Sequence, residues 1–489
     1  MQRRSFLQFG AAAGIYALSG GFNRLEADTT DDGYKAIVVL YQAGGNDSLN
    51  MFVPSSDDAK KGYANYASIR NNIRVSDTVL TLPKGADGTL DLSSGNPYAE
   101  NNSLIDAYTK GFYKHQNLPY ATNALMPELA DLVDRGKVAI VANAGNLIAP
   151  ATKAEFDAKT KQLPPFLFAH NHQSKLALNG EAAILDYSGW GGRIYDRWKG
   201  VNGGDIYGMN ISIGRVTHLF DGDQTSPLII NAGGPSQYKN LNQTLYQNYM
   251  ALSRRDIFKA LYNNMRQHSF DMQDTIVNDW NNNTPDFSNL KNSYGDALFS
   301  KPTNDQLSQS SPTYADTGML KQLEAVAKLA YIGKNRGLKR QIFYVEDGGY
   351  DTHNNQSQQH SRKLRGLSLA LGDFYKALES MGMEKEVTTI SLSEFGRSTG
   401  NNGDGTDHAW GSSYFVLGGA VKGGVYGTLP DLTLGSDDDL TKKGRLIPTT
   451  SFTQYFATVG KWFGLDAGGL DAIYPELGNF AVKDLGFMG

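Results

Sequence analysis

The sequence predicts an α/β protein built on a largely parallel central sheet, and three observations carry that prediction. Four unbroken apolar, β-rich runs recur along the chain: Ala36–Tyr41, Val138–Ala142, Gln341–Val345 and Val387–Leu392. Continuous rather than alternating hydrophobicity marks strands buried on both faces. Segments of helical spacing stand between them, as in repeated strand–helix–strand units. Three of the runs end in loops that carry an acid, at Asp47, Asp351 and Glu394. In parallel sheets ligands bind beyond the carboxyl ends of the strands, so these acids are expected to converge.

Each element has its own justification. Ala36–Tyr41 runs into Gly44-Gly45-Asn46-Asp47, a strand leaving through a tight turn. Met126–Arg135 has helical spacing through Leu129, Leu132 and Val133 and stops at Gly136. Val138–Ala142 is the second strand. Leu320–Ile332 reads as a helix ended by Gly333, and Gln341–Val345 as the third strand. A long amphipathic helix is predicted from about Ser361 to Met381, then the strand Val387–Leu392. Tyr414–Leu417 reads as a fifth strand and Phe452–Phe463 as a late helix. The stretch 203–317 is rich in Asn, Gln, Ser and Tyr and reads as an inserted, mostly helical cap.

Composition narrows the chemistry. The 489 residues allow about two to four domains, or one large α/β domain with insertions. The 40% hydrophobic content supports a sizeable core. The formal net charge of −4 offers no basic excess for nucleic acid or an anionic membrane. Cysteine is absent, which excludes disulfides, thiolate metal sites and cysteine nucleophiles. A metal site must therefore be built from oxygen ligands and the eight histidines. At the start of the chain, Arg3-Arg4 precede a short apolar stretch, Phe9–Leu18, too short to span a bilayer. Residues 1–27 read as a twin-arginine export signal, which makes the export machinery a partner and the periplasm or the exterior the destination.

Acid–imidazole pairs are the chemical candidates. Asp351-Thr352-His353 follows the third strand, and Asp407-His408 follows a glycine- and asparagine-rich loop. Such pairs either hold a divalent cation or serve as loop hydrogen-bonders. Arg397, in Ser-Glu-Phe-Gly-Arg, can clamp an oxyanion or pair with a neighbouring carboxylate. His170-Asn171-His172 reads as an extended segment that sets both imidazoles on one face, as ligands or as polar loop residues. Ser174 follows as a candidate nucleophile. The phosphate-loop pattern and the G-x-S-x-G elbow are both missing.

These motifs, in this order, resemble a bacterial family of exported proteins, domain-of-unknown-function family 1501. The matching stretches include VLYQAGGNDSLNMFVP at Val39–Pro54, GGYDTHNNQ at Gly348–Gln356, SEFGR at Ser393–Arg397 and TDHAWG from Thr406. The family is similar to the alkaline phosphatase and sulfatase superfamily. That resemblance implies an α/β/α sandwich and a metal-dependent site hydrolysing phosphate or sulfate esters of small or polymeric anionic substrates. It implies that Asp47, Asp351, His353, Glu394, Asp407, His408 and His172 hold a divalent metal, such as Zn, Mg, Mn or Ca. Ser174, Arg397 and His170 are then the catalytic candidates. Phe395 stands where that superfamily often has a second histidine, which leaves open a one-metal or non-catalytic site in an exported binding or envelope-assembly protein.

Overall fold

The computed structural model describes residues 33–93, 104–235, 257–303, 306–307 and 315–489, with the backbone alone for 257–268. The expected export signal, residues 1–27, lies outside the described residues, as do parts of the stretch 203–317.

Twelve strands are described: β1 (Lys35–Ala43), β2 (Phe52–Pro54), β3 (Phe112–Lys114), β4 (Tyr120–Asn123), β5 (Val138–Gly145), β6 (Asn210–Ile213), β7 (Leu228–Ile230), β8 (Arg340–Gly348), β9 (Val387–Leu392), β10 (Ser412–Gly418), β11 (Gly424–Tyr426) and β12 (Thr450–Ser451). Nine of them form the central sheet, in the order β11-β5-β10-β9-β1-β8-β6-β7 with β12 also paired to β5. Its pairings are parallel except those of β10, which runs antiparallel to both β5 and β9. A small antiparallel sheet, β2-β4-β3, stands apart.

The unbroken apolar runs are explained by packing on both sides. Successive side chains of a strand point to opposite faces. From β1, Ala36, Val38 and Leu40 enter one core with Leu129, Leu323 and Leu364, which come from the helices Pro127–Asp134, Gly318–Asn335 and Gln356–Ser380. Ile37, Val39 and Tyr41 enter the other with Trp190 and Phe456, from the helices Trp190–Arg197 and Phe452–Phe463. Helices thus cover both faces, giving the expected three-layer α/β/α arrangement. Each fully buried aliphatic or aromatic side chain contributes about 1.5–3 kcal/mol. Local sequence sets the ends: Ser451 and Gln454 form a capping box for Phe452–Phe463, and Gly464, at φ 119°, closes it.

Two features differ from the sequence reading. The fifth strand is reversed relative to its neighbours, a property no run of apolar residues encodes. Within 203–317, β6 and β7 are not part of a helical cap, because they extend the central sheet in parallel beyond β8. Four- and three-residue strands are too short to stand out by periodicity.

Candidate metal-binding site

The strand order builds the site. β1 pairs with both β8 and β9, so the loops holding Asp47, Asp351 and Glu394 leave one edge of the sheet side by side. Because β10 is antiparallel, its beginning lies at that same edge, which brings Asp407-His408 alongside. Residues 396–410 close on themselves as a hairpin: the Gly396 amide donates to Trp410, the Ala409 amide to Gly396 and the Ser398 amide to Asp407, with Arg397 facing His408. The paired glycines after β1 are required by close approach. Gly44 has φ 121°, and a Cβ there would stand 2.3 Å from the Asp351 backbone nitrogen; one on Gly45 would stand 2.6 Å from the Phe395 ring.

Asp351 is the hub. Its Oδ1 lies 3.1 Å from His408 Nε2, 3.1 Å from His353 Nε2 and 2.8 Å from Arg397 Nη1. Its Oδ2 lies 3.4 Å from His170 Nε2. His170, Asp351 and His408 each offer a ligand atom within 4.8 Å of the other two. His353 adds a further imidazole, with Nε2 2.8 Å from His408 Nε2 and Nδ1 3.5 Å from Asp407 Oδ1.

The far side of each ring fixes its proton. His408 Nδ1 is 2.9 Å from the Phe168 carbonyl oxygen, which only accepts, so Nδ1 carries the hydrogen. His170 Nδ1 is 2.7 Å from Glu394 Oε1. Both rings therefore turn Nε2 toward the Asp351 carboxylate, and His170 Nε2 is a buried atom without a hydrogen bond despite its 3.4 Å approach. Imidazole lone pairs directed with a carboxylate at one point suit a divalent cation, and acceptors behind the rings are the usual support of such a site. The residues present fit that group.

The charges respond accordingly. The Glu394 hydrogen bond raises the His170 pKa above its ordinary value, against burial. Burial and the neighbouring His170 lower that of His408. Burial disfavours the Asp351 carboxylate, but the hydrogen bond from Arg397 outweighs it and holds its pKa below the usual range. Burial pushes the Arg397 guanidinium down.

Other sequence-predicted residues fall outside this cluster. His170-Asn171-His172 is not extended but opens the helix His170–Asn179. At 100° per residue, positions two apart diverge, and His172 stacks on Phe166 with ring centroids 4.1 Å apart. Asp47 is buried and spent elsewhere: Arg70 donates to both its oxygens, at 2.5 and 3.0 Å, and Gln356 donates at 2.5 Å. Glu394 is buried behind His170, accepting also from the Gly44 amide at 2.9 Å and the Tyr41 hydroxyl at 3.1 Å. Ser174 sits one helical turn from His170, with its Oγ 2.7 Å from the Tyr41 hydroxyl. Arg397 is buried and bonded to Asp351, to the Gly44 carbonyl at 3.3 Å and to Thr406, so its guanidinium is committed within the protein.

The sequence matches the family described as "Protein of unknown function (DUF1501)" over residues 34–473. This chain belongs to the DUF1501 family. No curated protein sequence matches it. Among solved structures, this DUF1501 chain is similar to the soluble domain of lipooligosaccharide phosphoethanolamine transferase A from Neisseria meningitidis, at 10% identity, 90% coverage of each chain and a TM-score of 0.33. A Bacteroides thetaiotaomicron protein from a locus for metabolism of multiple glycosaminoglycans matches at 9% identity, 90% of this chain and 74% of that one, with a TM-score of 0.32. Likeness at that level carries no argument about activity.

Several residues of the DUF1501 site were not singled out by sequence reasoning: Tyr41, Phe168, Thr406, Gln356 and Arg70. Phe168 acts through its backbone carbonyl, which leaves no trace in residue type. Its φ of 73°, rare for a phenylalanine, marks a strained approach that only coordinates reveal.

Proposed function

We propose that this DUF1501 protein is a metal-dependent hydrolase of phosphate or sulfate esters, exported through the twin-arginine route to act in the periplasm or outside the cell. The observation that carries the reading is the pair of imidazoles whose Nδ1 atoms are held by Glu394 and the Phe168 carbonyl, turning both Nε2 atoms toward Asp351. His170, Asp351 and His408 would hold the ion, with His353 and Asp407 beside them. A donor set of imidazole and carboxylate fits Zn or Mn better than Mg or Ca. When bound there, such a cation supplies Lewis-acid polarisation of an ester oxygen and a water of lowered pKa.

The chain's own groups have distinct tasks in this reading. Glu394 holds His170 in one tautomer. Arg397 fixes Asp351 through the bond at 2.8 Å. His353, half exposed beside Asp407, lies on the solvent side of the cluster. Ser174 Oγ is bonded to Tyr41, whose hydroxyl reaches Glu394 rather than Asp351, which favours water over Ser174 as the nucleophile.

The test is metal content and titration calorimetry with zinc and manganese on the purified mature protein, followed by turnover of aryl phosphates and sulfates. One bound divalent ion, and loss of turnover in His170→Ala and His408→Ala, is expected. A protein that takes up no divalent ion sinks the reading.

A second reading is an exported binding or envelope-assembly protein that keeps the metal for structure. The commitment of Arg397 to internal bonds favours it, since that guanidinium is then not free to meet an anion. A metal-loaded protein inert toward phosphate, sulfate and phosphonate esters would select this alternative.

A further inference from the structure

Asp47 and Gln356 lie in the stretches that carry the family resemblance, yet neither belongs to the metal cluster. A continuous chain of hydrogen bonds, buried up to its last link at Asp351, joins them to it. Arg70 and Asp47 form an ion pair with side chains 0% and 1% exposed. Gln356, itself 0% exposed, opens the helix Gln356–Ser380. Its Nε2 donates to Asp47 Oδ2 at 2.5 Å and to the Tyr108 hydroxyl oxygen at 3.0 Å. Its Oε1 accepts from Thr406 Oγ1 at 2.7 Å and from Thr352 Oγ1 at 3.2 Å. All four hydrogen-bonding positions of the amide are filled.

With the Asn46 amide oriented by its bond from Nδ2 to Gln42 Oε1 at 3.3 Å, the directions of the chain follow. The Tyr108 hydroxyl is 3.0 Å from His360 Nδ1, and His360 Nε2 is 2.9 Å from the Asn46 side-chain oxygen Oδ1. His360 Nε2 therefore carries the hydrogen, and Tyr108 donates to Nδ1 and accepts from Gln356. That forces the Gln356 amide nitrogen toward Asp47 and its oxygen toward Thr406. Thr406 spends its one proton on Gln356, so its oxygen accepts from Arg397 Nε at 3.2 Å. Arg397 Nη1 then donates to Asp351 at 2.8 Å. No member can reverse without leaving a buried polar group unpaired, which costs about 1–3 kcal/mol.

We propose that Gln356 is a positioning residue that carries the fixed location of the buried Asp47–Arg70 pair, through Thr406 and Arg397, to the Asp351 carboxylate, and so sets the geometry of the metal site. The inference rests on the metal reading above. It assigns Asp47 the role of anchor rather than ligand, and it explains a glutamine at 356: a glutamate would face the Asp47 carboxylate at 2.5 Å.

The experiment compares Gln356→Met, Thr406→Val and Thr406→Ser in the full mature chain. The readouts are zinc affinity by calorimetry, the visible spectrum of the cobalt(II)-loaded protein and the thermal midpoint of the metal-free form. Gln356→Met and Thr406→Val are expected to bind zinc about 10–100-fold more weakly, as loss of outer support typically does, and to shift the cobalt bands. Thr406→Ser keeps the hydroxyl and is expected to restore the parent's affinity and spectrum. Unchanged affinity and spectra in both breaking variants would overturn the proposal while leaving the metal site intact. Equal weakening in Thr406→Val and Thr406→Ser would assign Thr406 to packing and overturn it too. A parent that binds neither zinc nor cobalt would remove the metal reading and this inference with it. Should Gln356→Met fail to fold, the two Thr406 variants decide the matter.

Discussion

Replacing Glu394 with glutamine isolates what a carboxylate behind a histidine of the proposed metal site does. The swap preserves shape. A glutamine Oε1 can still accept from His170 Nδ1 and the Gly44 amide, which lie 2.7 and 2.9 Å from the present oxygen. The new amide nitrogen can face the Tyr41 and Ser393 hydroxyls, each now 3.1 Å from Oε2. What is lost is charge. Zinc affinity is expected to fall about 10–100-fold, or about 1.4–2.7 kcal/mol. In the metal-free protein a hydrogen bond to a charged acceptor, typically about 1.5–3 kcal/mol, becomes one to a neutral acceptor, typically about 0.5–1.5 kcal/mol. The sign with pH follows from His170, whose pKa is raised in the fold by Glu394. A raised histidine pKa stabilises fully below the unfolded value of about 6.5 and ceases to do so as pH rises through the folded value. Glu394→Gln should therefore cost more stability at pH 5.5 than at pH 8.5. Denaturant unfolding of the metal-free protein at both pH values, with zinc calorimetry on the same samples, reads both effects. Parental zinc affinity together with an equal loss of stability at the two pH values would refute the reasoning.

Three further outcomes are expected. Arg70→Met leaves the buried Asp47 carboxylate unpaired and should destabilise the protein by about 3–5 kcal/mol in urea unfolding, while the double variant Asp47→Asn/Arg70→Met recovers most of that. Burial disfavours the Asp47 carboxylate, but Arg70 holds its pKa below the ordinary value. Its stabilisation is thus present above about pH 4 and lost as pH falls through the folded value, so the parent's urea midpoint should drop more steeply between pH 5 and pH 3 than that of the double variant. If water is the nucleophile, Ser174→Ala should keep turnover within an order of magnitude of the parent; a fall of ~10³-fold or more would identify Ser174 as the nucleophile instead.

The sheet was legible where its strands are buried on both faces. Val387–Leu392 and Phe452–Phe463 were read with the ends they have, because an unbroken apolar run and a glycine after an amphipathic stretch are local signals. Asp351 and His408 were legible as candidate site residues for the same reason: an acid or imidazole at a strand edge stands out from its surroundings, and the fold brings the two together. What escaped was set at long range. Asp47 has the local look of a ligand, and only the approach of Arg70, from a helix with no chemical motif, takes it out of the site. Glu394 looked like a ligand too, until the helix carrying His170 came between it and the cluster. His170-Asn171-His172 read as an extended segment, yet it opens a helix whose N-cap is Ala169, preceded by a turn over 165–168. The orientation of β10, which decides that His408 reaches the site at all, is a property of chain crossing and not of residue type.

That reversed strand has a consequence for how the site can be altered. Arg397 and His408 are registered to each other by main-chain pairing inside one hairpin, residues 396–410, and not by the sheet that holds it. The hairpin is also anchored to the rest of the fold, through the Thr399 amide to Gly444, the Thr406 amide to Thr352 and the Gln356 amide to Asp404. A change in the length of its exposed tip around Asn402 and Gly403 is therefore expected to act on the cluster through the bonds that leave the tip, Asn402 to Asp407 at 2.8 Å and Asn72 to the Gly403 carbonyl at 3.3 Å, before it disturbs the pairing of Arg397 with His408.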